Sequence, residues 1–175
     1  MSTQKTCRTA FLAGPFKAIV DPETGVMSTF DRERYEALIG HLKTRGYTVH
    51  NAHRRESWGA NFLSPEECTR LDYEQIRDCD LFVAFPGCPA SPGTHIEIGW
   101  ATAFGKPLIL LLEEGHTYAY LVQGLHTVGD VRYVSIPAGE TGLSHFAAVL
   151  DEFEMKQNGH LGAGLAVSGE GRDSR

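Results

Sequence analysis

LFVAFPGCPASPGTHIEIGWATAFGKPLILLL, Leu81 to Leu112, is the stretch on which the fold of this chain turns. Leu81 to Phe85 is a nearly continuous apolar run, the pattern of a central strand buried on both faces. The loop PGCPASPG follows, and then small and apolar residues that read as a helix packed on a sheet. Gly-Lys-Pro closes that helix before a second apolar run, Leu108 to Leu112. Strand, helix and strand in this order imply parallel pairing.

The alternation extends in both directions. Upstream, Thr9 to Ala13 reads as a strand stopped by Gly14-Pro15. Asp31 to Arg45 places Tyr35, Leu38, Ile39 and Leu42 at helical spacing, and Gly46 is a natural end to that helix. Tyr47 to His50 is a second strand, followed by the polar loop NAHRRESWGANFL. Ser64-Pro65-Glu66-Glu67 supplies a cap, a proline at the first helical position and a capping-box acid for a helix to about Asp78. Downstream come a short helix at about Thr117 to Gly124, a fifth strand Val131 to Ile136 and a last helix from about Gly142 to Met155. The expected fold is α/β: a doubly wound, five-stranded parallel sheet with helices on both faces. One catalytic domain, residues 1–156, would precede a glycine-rich tail, 157–175, expected to be mobile.

Composition narrows the classes of function. At 175 residues, with 42% apolar and 22% charged side chains, the chain reads as one globular domain. A net charge of −6 argues against nucleic acid as the main ligand, while leaving room for a local pocket that takes one small phosphate. No window has the apolar length of a membrane helix, and MSTQKTCRTAFLAGP makes a poor signal peptide. Cys7, Cys68, Cys79 and Cys88 lack CxxC spacing, so reduced thiols of a cytoplasmic protein are expected. No paired Cys/His spacing suggests a metal.

In a sheet ordered 2-1-3-4-5, ligands bind where strand order reverses, between strands one and three. The loops that meet there are AGPFK and PGCPASPGTH. Ser91-Pro92-Gly93-Thr94 begins a helix, and a helix start offers unpaired N–H groups and the positive end of a dipole. Ser91 and Gly93 then form either a plain turn and cap or an anion site, and the position at the switch point favours a phosphate. Glu97 lies one turn further in, the lone acid of an otherwise apolar helix. Beside a phosphate, it is placed to attack the anomeric carbon of the attached sugar or to stabilise its cationic transition state. Asp72 shares its helix with Glu66, Glu67, Glu74 and Asp78, so spacing alone favours a solvated position. His53, Arg54 and Arg55 form a basic cluster that is either a solvated loop or a site for an anion or base. Trp58 and Phe62 cover the core or line a pocket, and core is the simpler reading.

The motifs FLAGPF, LDYEQIRDCDLFVAFPG and SPGTHIEIGWATAFGKPLILLL, in this order, resemble the nucleoside 2-deoxyribosyltransferase superfamily across about Phe11 to Leu125. Within it, GPFKAIVDPETGVMS, NAHRRESWGANFLSP and VAFPGCPASPGTHIEIGWA look most like the CMP and hydroxymethyl-CMP N-glycosidases of nucleoside-antibiotic biosynthesis. The resemblance implies a flavodoxin-like fold, a homodimer, a small-molecule nucleotide substrate, and no cofactor or metal. It implies that Glu97 is the nucleophile on C1′ and that Asp72 is the second acid. Ser91 and Gly93 match the phosphate loop, and Gly14, Phe16 and Lys17 match the turn that meets the base. Apart from the resemblance, His53 and Arg54 of the basic cluster are kept as candidate substrate-binding residues. The hydroxymethyl-CMP enzyme has arginine where this chain has Lys17, and a lysine lacks the planar fork, which favours plain CMP. One departure concerns the neighbouring subunit: some relatives supply a phosphate-binding serine where this chain has Ala119, between Tyr118 and Tyr120.

Overall fold

A computed structural model describes residues 7–16, 21, 23 and 26–164. Its elements are β1 (Arg8–Ala13), α1 (Thr29–Thr44), β2 (Tyr47–His50), α2 (Ala52–Arg55), α3 (Pro65–Asp78), β3 (Leu81–Ala84), α4 (Pro92–Ala103), β4 (Leu108–Glu113), α5 (Tyr120–Gln123), β5 (Val131–Ile136) and α6 (Leu143–Gly164). All strand pairs are parallel, in the order β2-β1-β3-β4-β5. This is the doubly wound α/β arrangement that the strand and helix patterns predict, and the flavodoxin-like one that the resemblance implies.

Strand alternation divides the interior into two cores. Ala10, Leu12, Leu81, Val83, Ile109 and Leu111 face one side, where Leu38 and Leu42 of α1 and Phe146 and Leu150 of α6 pack on them. Their neighbours Phe11, Ala13, Phe82, Ala84, Leu108 and Leu110 face the other, against Ile76 of α3, Ile98 and Ala101 of α4 and Val122 of α5. Both faces of the central strands are therefore dry, which is why their sequences read as unbroken apolar runs.

Caps set where the helices around the ligand end of the sheet begin. Ser64 and Glu67 form the reciprocal capping box of α3, with Pro65 at the first helical position. Ser91 caps α4. Two elements differ from the sequence reading. The polar segment after β2 contains α2 and a 3-10 turn, Ser57–Gly59, because Asn51 caps it by accepting from the Arg54 N–H. The last helix continues through 157–164, since propagating a helix gains one hydrogen bond per residue even across glycines. Residues 165–175, the rest of the expected tail, lie outside the described residues.

Gly14 ends β1 at a point of close approach. A Cβ there would overlap the Tyr35 hydroxyl of α1, so no larger residue fits without moving that ring. The chain turn that follows β1 is thus packed directly on α1.

Candidate active site

A cavity of about 850 Å³ opens beside the carboxyl ends of β1 and β3, at the reversal of strand order. Its walls come from the Gly14–Phe16 turn, the α2 segment, one face of α3 and the start of α4. Glu97, Asp72, Ser91, Gly93, Gly14, Phe16 and His53 all line it. Residues from 14 to 97 in the chain are brought together by the two crossovers that flank β1 and β3.

Ser91 to Thr94 form the end of the cavity nearest α4. The Ser91 hydroxyl accepts from the Thr94 hydroxyl at 3.0 Å and from the Thr94 N–H at 3.5 Å. Capping and anion binding are compatible here: the cap fixes the first turn, and Gly93 has open space where a Cβ would stand. The helix start therefore offers its positive end to the cavity.

The two predicted acids differ sharply in their partners. Asp72 is buried, and its Oδ1 accepts from Arg55 Nη1 at 2.8 Å. Burial raises its pKa, against the opposing pull of the Arg55 cation. Glu97 makes no hydrogen bond or ion pair with any described residue. Burial first, and then the neighbouring Asp72 charge, push its carboxyl up to about 8, with Arg55 only partly offsetting them. Two carboxyls in one cavity with unequal environments divide the roles of proton holder and anion. The Glu97 carboxyl therefore holds its proton at neutral pH.

The basic cluster resolves into three separate roles. His53 is buried; its Nε2–H donates to the Pro15 carbonyl at 2.8 Å, and its Nδ1 accepts from Asn51 at 3.1 Å. Burial lowers its pKa to about 4, so it stands as a neutral wall that ties the Gly14-Pro15 turn to α2. Arg54 is exposed and lines a different depression, with Lys43, Tyr47 and His50. Arg55 is the cation that reaches the acids: besides Asp72, its Nη2 meets Glu56 Oε1 at 3.1 Å. Sequence reasoning counted Arg55 in the cluster without assigning it to the site. No local signal separates it from Arg54, since the sequence reads this segment as a loop and α2 is found only in the structure.

Aromatic residues complete the lining of the cavity. Phe16 is half-buried, with its ring centroid 4.6 Å from that of His53 and 5.2 Å from that of Phe62. Phe62 is exposed and lines the cavity, whereas Trp58 is in the core, so this aromatic pair is split between the two readings. Lys17 lies outside the described residues. No group of three His, Cys, Asp or Glu side chains placed to hold a metal occurs among the described residues.

Comparison with known proteins places this geometry in context. The model of the family described as nucleoside 2-deoxyribosyltransferase matches residues 25–162. Among solved structures, a Clostridium botulinum CMP N-glycosidase, BcmB, is similar at 41% identity and a TM-score of 0.59, over 82% of this chain and 99% of that one. The solution structure of BlsM is similar at 52% identity and a TM-score of 0.68, over 79% of this chain and 85% of that one. No curated protein matches the chain. By its motifs, its sheet and the extent of the match, the chain belongs to the nucleoside 2-deoxyribosyltransferase family.

Proposed function

We propose that this protein is an N-glycosidase that hydrolyses the bond between base and sugar in a pyrimidine nucleoside 5′-monophosphate, giving cytosine and ribose 5-phosphate from CMP. The observation that carries the reading is an unpartnered Glu97 beside an arginine-held Asp72, in a cavity that ends at the start of α4. Likeness to the CMP N-glycosidase of Clostridium botulinum supports it. The helix start takes the phosphate, which sets the sugar over the two acids and the base toward Phe16 and Phe62.

The chemistry then balances as follows. Glu97 passes its proton to Asp72 and attacks C1′ as the C1′–N1 bond breaks. The bonding pair leaves with the base, which takes the proton from Asp72. Water next attacks C1′ of the glycosyl ester, Asp72 accepts its proton, and the Glu97 carboxylate is released. Proton transfer back to Glu97 restores the resting pair. One water is consumed, and base and ribose 5-phosphate are formed.

The test is free-base release from CMP, dCMP, hydroxymethyl-CMP, UMP and AMP, with a second free base present in one arm. Cytosine release from CMP without a new nucleotide is the expected result. Formation of a new nucleotide would make the protein a transferase, and no release from any compound would make it a binder only.

The working unit under this proposal is a homodimer. Tyr120 and Leu121 of α5 are 88% and 85% exposed, with Val128 nearby in sequence at 74%, an apolar surface with no cover in the single chain. Tyr118 is committed within its own chain, where its hydroxyl accepts from the Glu113 N–H at 2.7 Å, leaving Tyr120 free to reach a neighbour. Sedimentation at micromolar concentration is expected to give a dimer, and Leu121→Glu a monomer. A wild-type monomer would remove the dimer from the proposal.

A further inference from the structure

The cavity holds a third carboxylate that the mechanism leaves unused. Glu56 is 5% exposed and lines the same cavity as Phe16, His53 and Phe62. Its Oε1 meets Arg55 Nη2 at 3.1 Å, while its Oε2 has no partner among the described residues. We propose that Glu56 selects the base, using its free oxygen to accept a hydrogen bond from the exocyclic amine of an aminopyrimidine. This rests on the N-glycosidase reading and adds to it the rule by which the substrate is chosen.

Placement is the first argument. With the phosphate at α4 and the sugar at Glu97 and Asp72, the base has the remaining wall. Phe16, Phe62 and Leu63 offer flat or apolar surface there, but no hydrogen-bonding side chain. Both His53 ring nitrogens are already used, by Pro15 and Asn51. Arg55 holds Glu56 and Asp72 with one guanidinium, so Glu56 stands beside the acid that meets the leaving base and retains an unused oxygen that can read a base edge.

Rigidity is the second. Ser57 and Trp58 hold left-handed backbone at φ 51 and φ 60, which non-glycine residues seldom adopt. The Glu56 carbonyl accepts from the N–H groups of Gly59 and Asn61, both at 3.1 Å, and Trp58 is locked into the core. Strain held by surrounding packing at a ligand cavity is a mark of a position that must not drift. Arg55 then fixes one carboxylate oxygen and leaves the other without a partner among the described residues.

Chemistry is the third. A carboxylate only accepts, so it pairs with the amino group at ring position 4 of cytosine. Uracil presents a carbonyl at that position, and two acceptors face each other. A site built around one polar contact rejects the analogue that cannot make it far better than an apolar wall would. Substitution at ring position 5 leaves this contact untouched, so plain and hydroxymethylated cytosine are both admitted by it.

The experiment compares kcat/KM for CMP and UMP in wild type, Glu56→Gln and Glu56→Asp, with inhibition by ribose 5-phosphate as the measure of an intact sugar and phosphate site. Wild type is expected to prefer CMP by about 10²-fold or more. Glu56→Gln, whose amide both donates and accepts, is expected to bring that ratio below about ten, with ribose 5-phosphate inhibition unchanged. Glu56→Asp keeps the charge beside Arg55 but withdraws the oxygen, and it should lose CMP turnover without gaining UMP. An unchanged ratio in Glu56→Gln overturns the assignment. Equilibrium binding of free cytosine and uracil asks the same question without turnover. If wild type cleaves neither nucleotide but still holds cytosine over uracil through Glu56, the hydrolase reading fails and base selection stands. Equal binding of the two bases sinks the selection whatever the protein catalyses.

Discussion

Glu97→Gln is expected to lower cytosine release from CMP by about 10⁴-fold while leaving CMP binding measurable by calorimetry. The amide keeps the shape of the side chain and removes the oxygen nucleophile, so the loss should lie in kcat. Residual turnover near the wild-type rate would disprove the nucleophile assignment. The pH profile of the wild type adds a second reading of the same residue. Because the pair Glu97–Asp72 works with one proton, activity requires that proton to be present. It leaves as pH rises through about 8, so kcat/KM should fall about tenfold per pH unit above that point. A rate that climbs through pH 8 would mean that Glu97 attacks without sharing a proton. Neither His53, neutral with a pKa near 4, nor Arg55, which stays charged, titrates on this limb.

The same substitution should stabilise the fold, with a sign set by linkage. The Glu97 carboxyl is raised in the folded state from 4.5 to about 8. Between these values the folded chain holds a proton that the unfolded chain has released, so stability falls as pH rises across that window. Below it, both states are protonated and the penalty is absent. Glutamine has no such window. At pH 8 the variant is expected to exceed wild type by about 2 kcal/mol, read as a Tm several degrees higher. At pH 4 the two should melt together. An active-site acid that costs stability where the enzyme works is the usual exchange of stability for reactivity.

How much of this was legible in the sequence depends on whether the cause was local. The strands Leu81–Ala84 and Leu108–Glu113 announce themselves because both their faces are dry. Ser64 and Glu67 mark the start of α3 because a capping box is written within four residues. Glu97 stood out because one acid in an apolar helix start has no ordinary explanation. Asp72 did not, since it sits among acids on a helix whose other charges face water, and only the family resemblance raised it. What separates it from them is Arg55, which lies 17 residues away and meets it at 2.8 Å. Choosing Arg54 over Arg55 was beyond local pattern, because a four-residue helix, capped by Asn51, decides which of two adjacent arginines turns inward. Glu56 was hidden for the same reason: its inward orientation depends on left-handed backbone at Ser57 and Trp58, residues that do not advertise such a conformation.

Arg55 is where these long-range causes meet, and replacing it is expected to have the next largest effect. Arg55→Gln should lower kcat/KM for CMP by about 10²-fold at pH 7, although the arginine touches no reacting atom in the proposed mechanism. It acts through Asp72. The guanidinium is half-buried and spends one donor on Asp72 and one on Glu56, while its Nε is buried with no partner among the described residues. Removing the cation favours every protonated form nearby, so the Asp72 pKa moves up and the acid limb of the pH profile moves with it. A second proton then enters the pair at a higher pH than in wild type, and the active range narrows from its acid side. The charged and titratable groups around this point are Glu56, Glu97, Cys68 and His50, and His50 already has a lowered pKa from burial and from Arg55 itself. Arg55→Lys restores charge without the two-pronged grip, and it should recover the acid limb better than it recovers base preference. A loss caused by general disruption would leave the profile in place and simply scale it down. The decisive comparison is with Asp72→Asn. If Arg55 works through Asp72, Arg55→Gln should cost less than about threefold in that background, whereas independent roles would multiply.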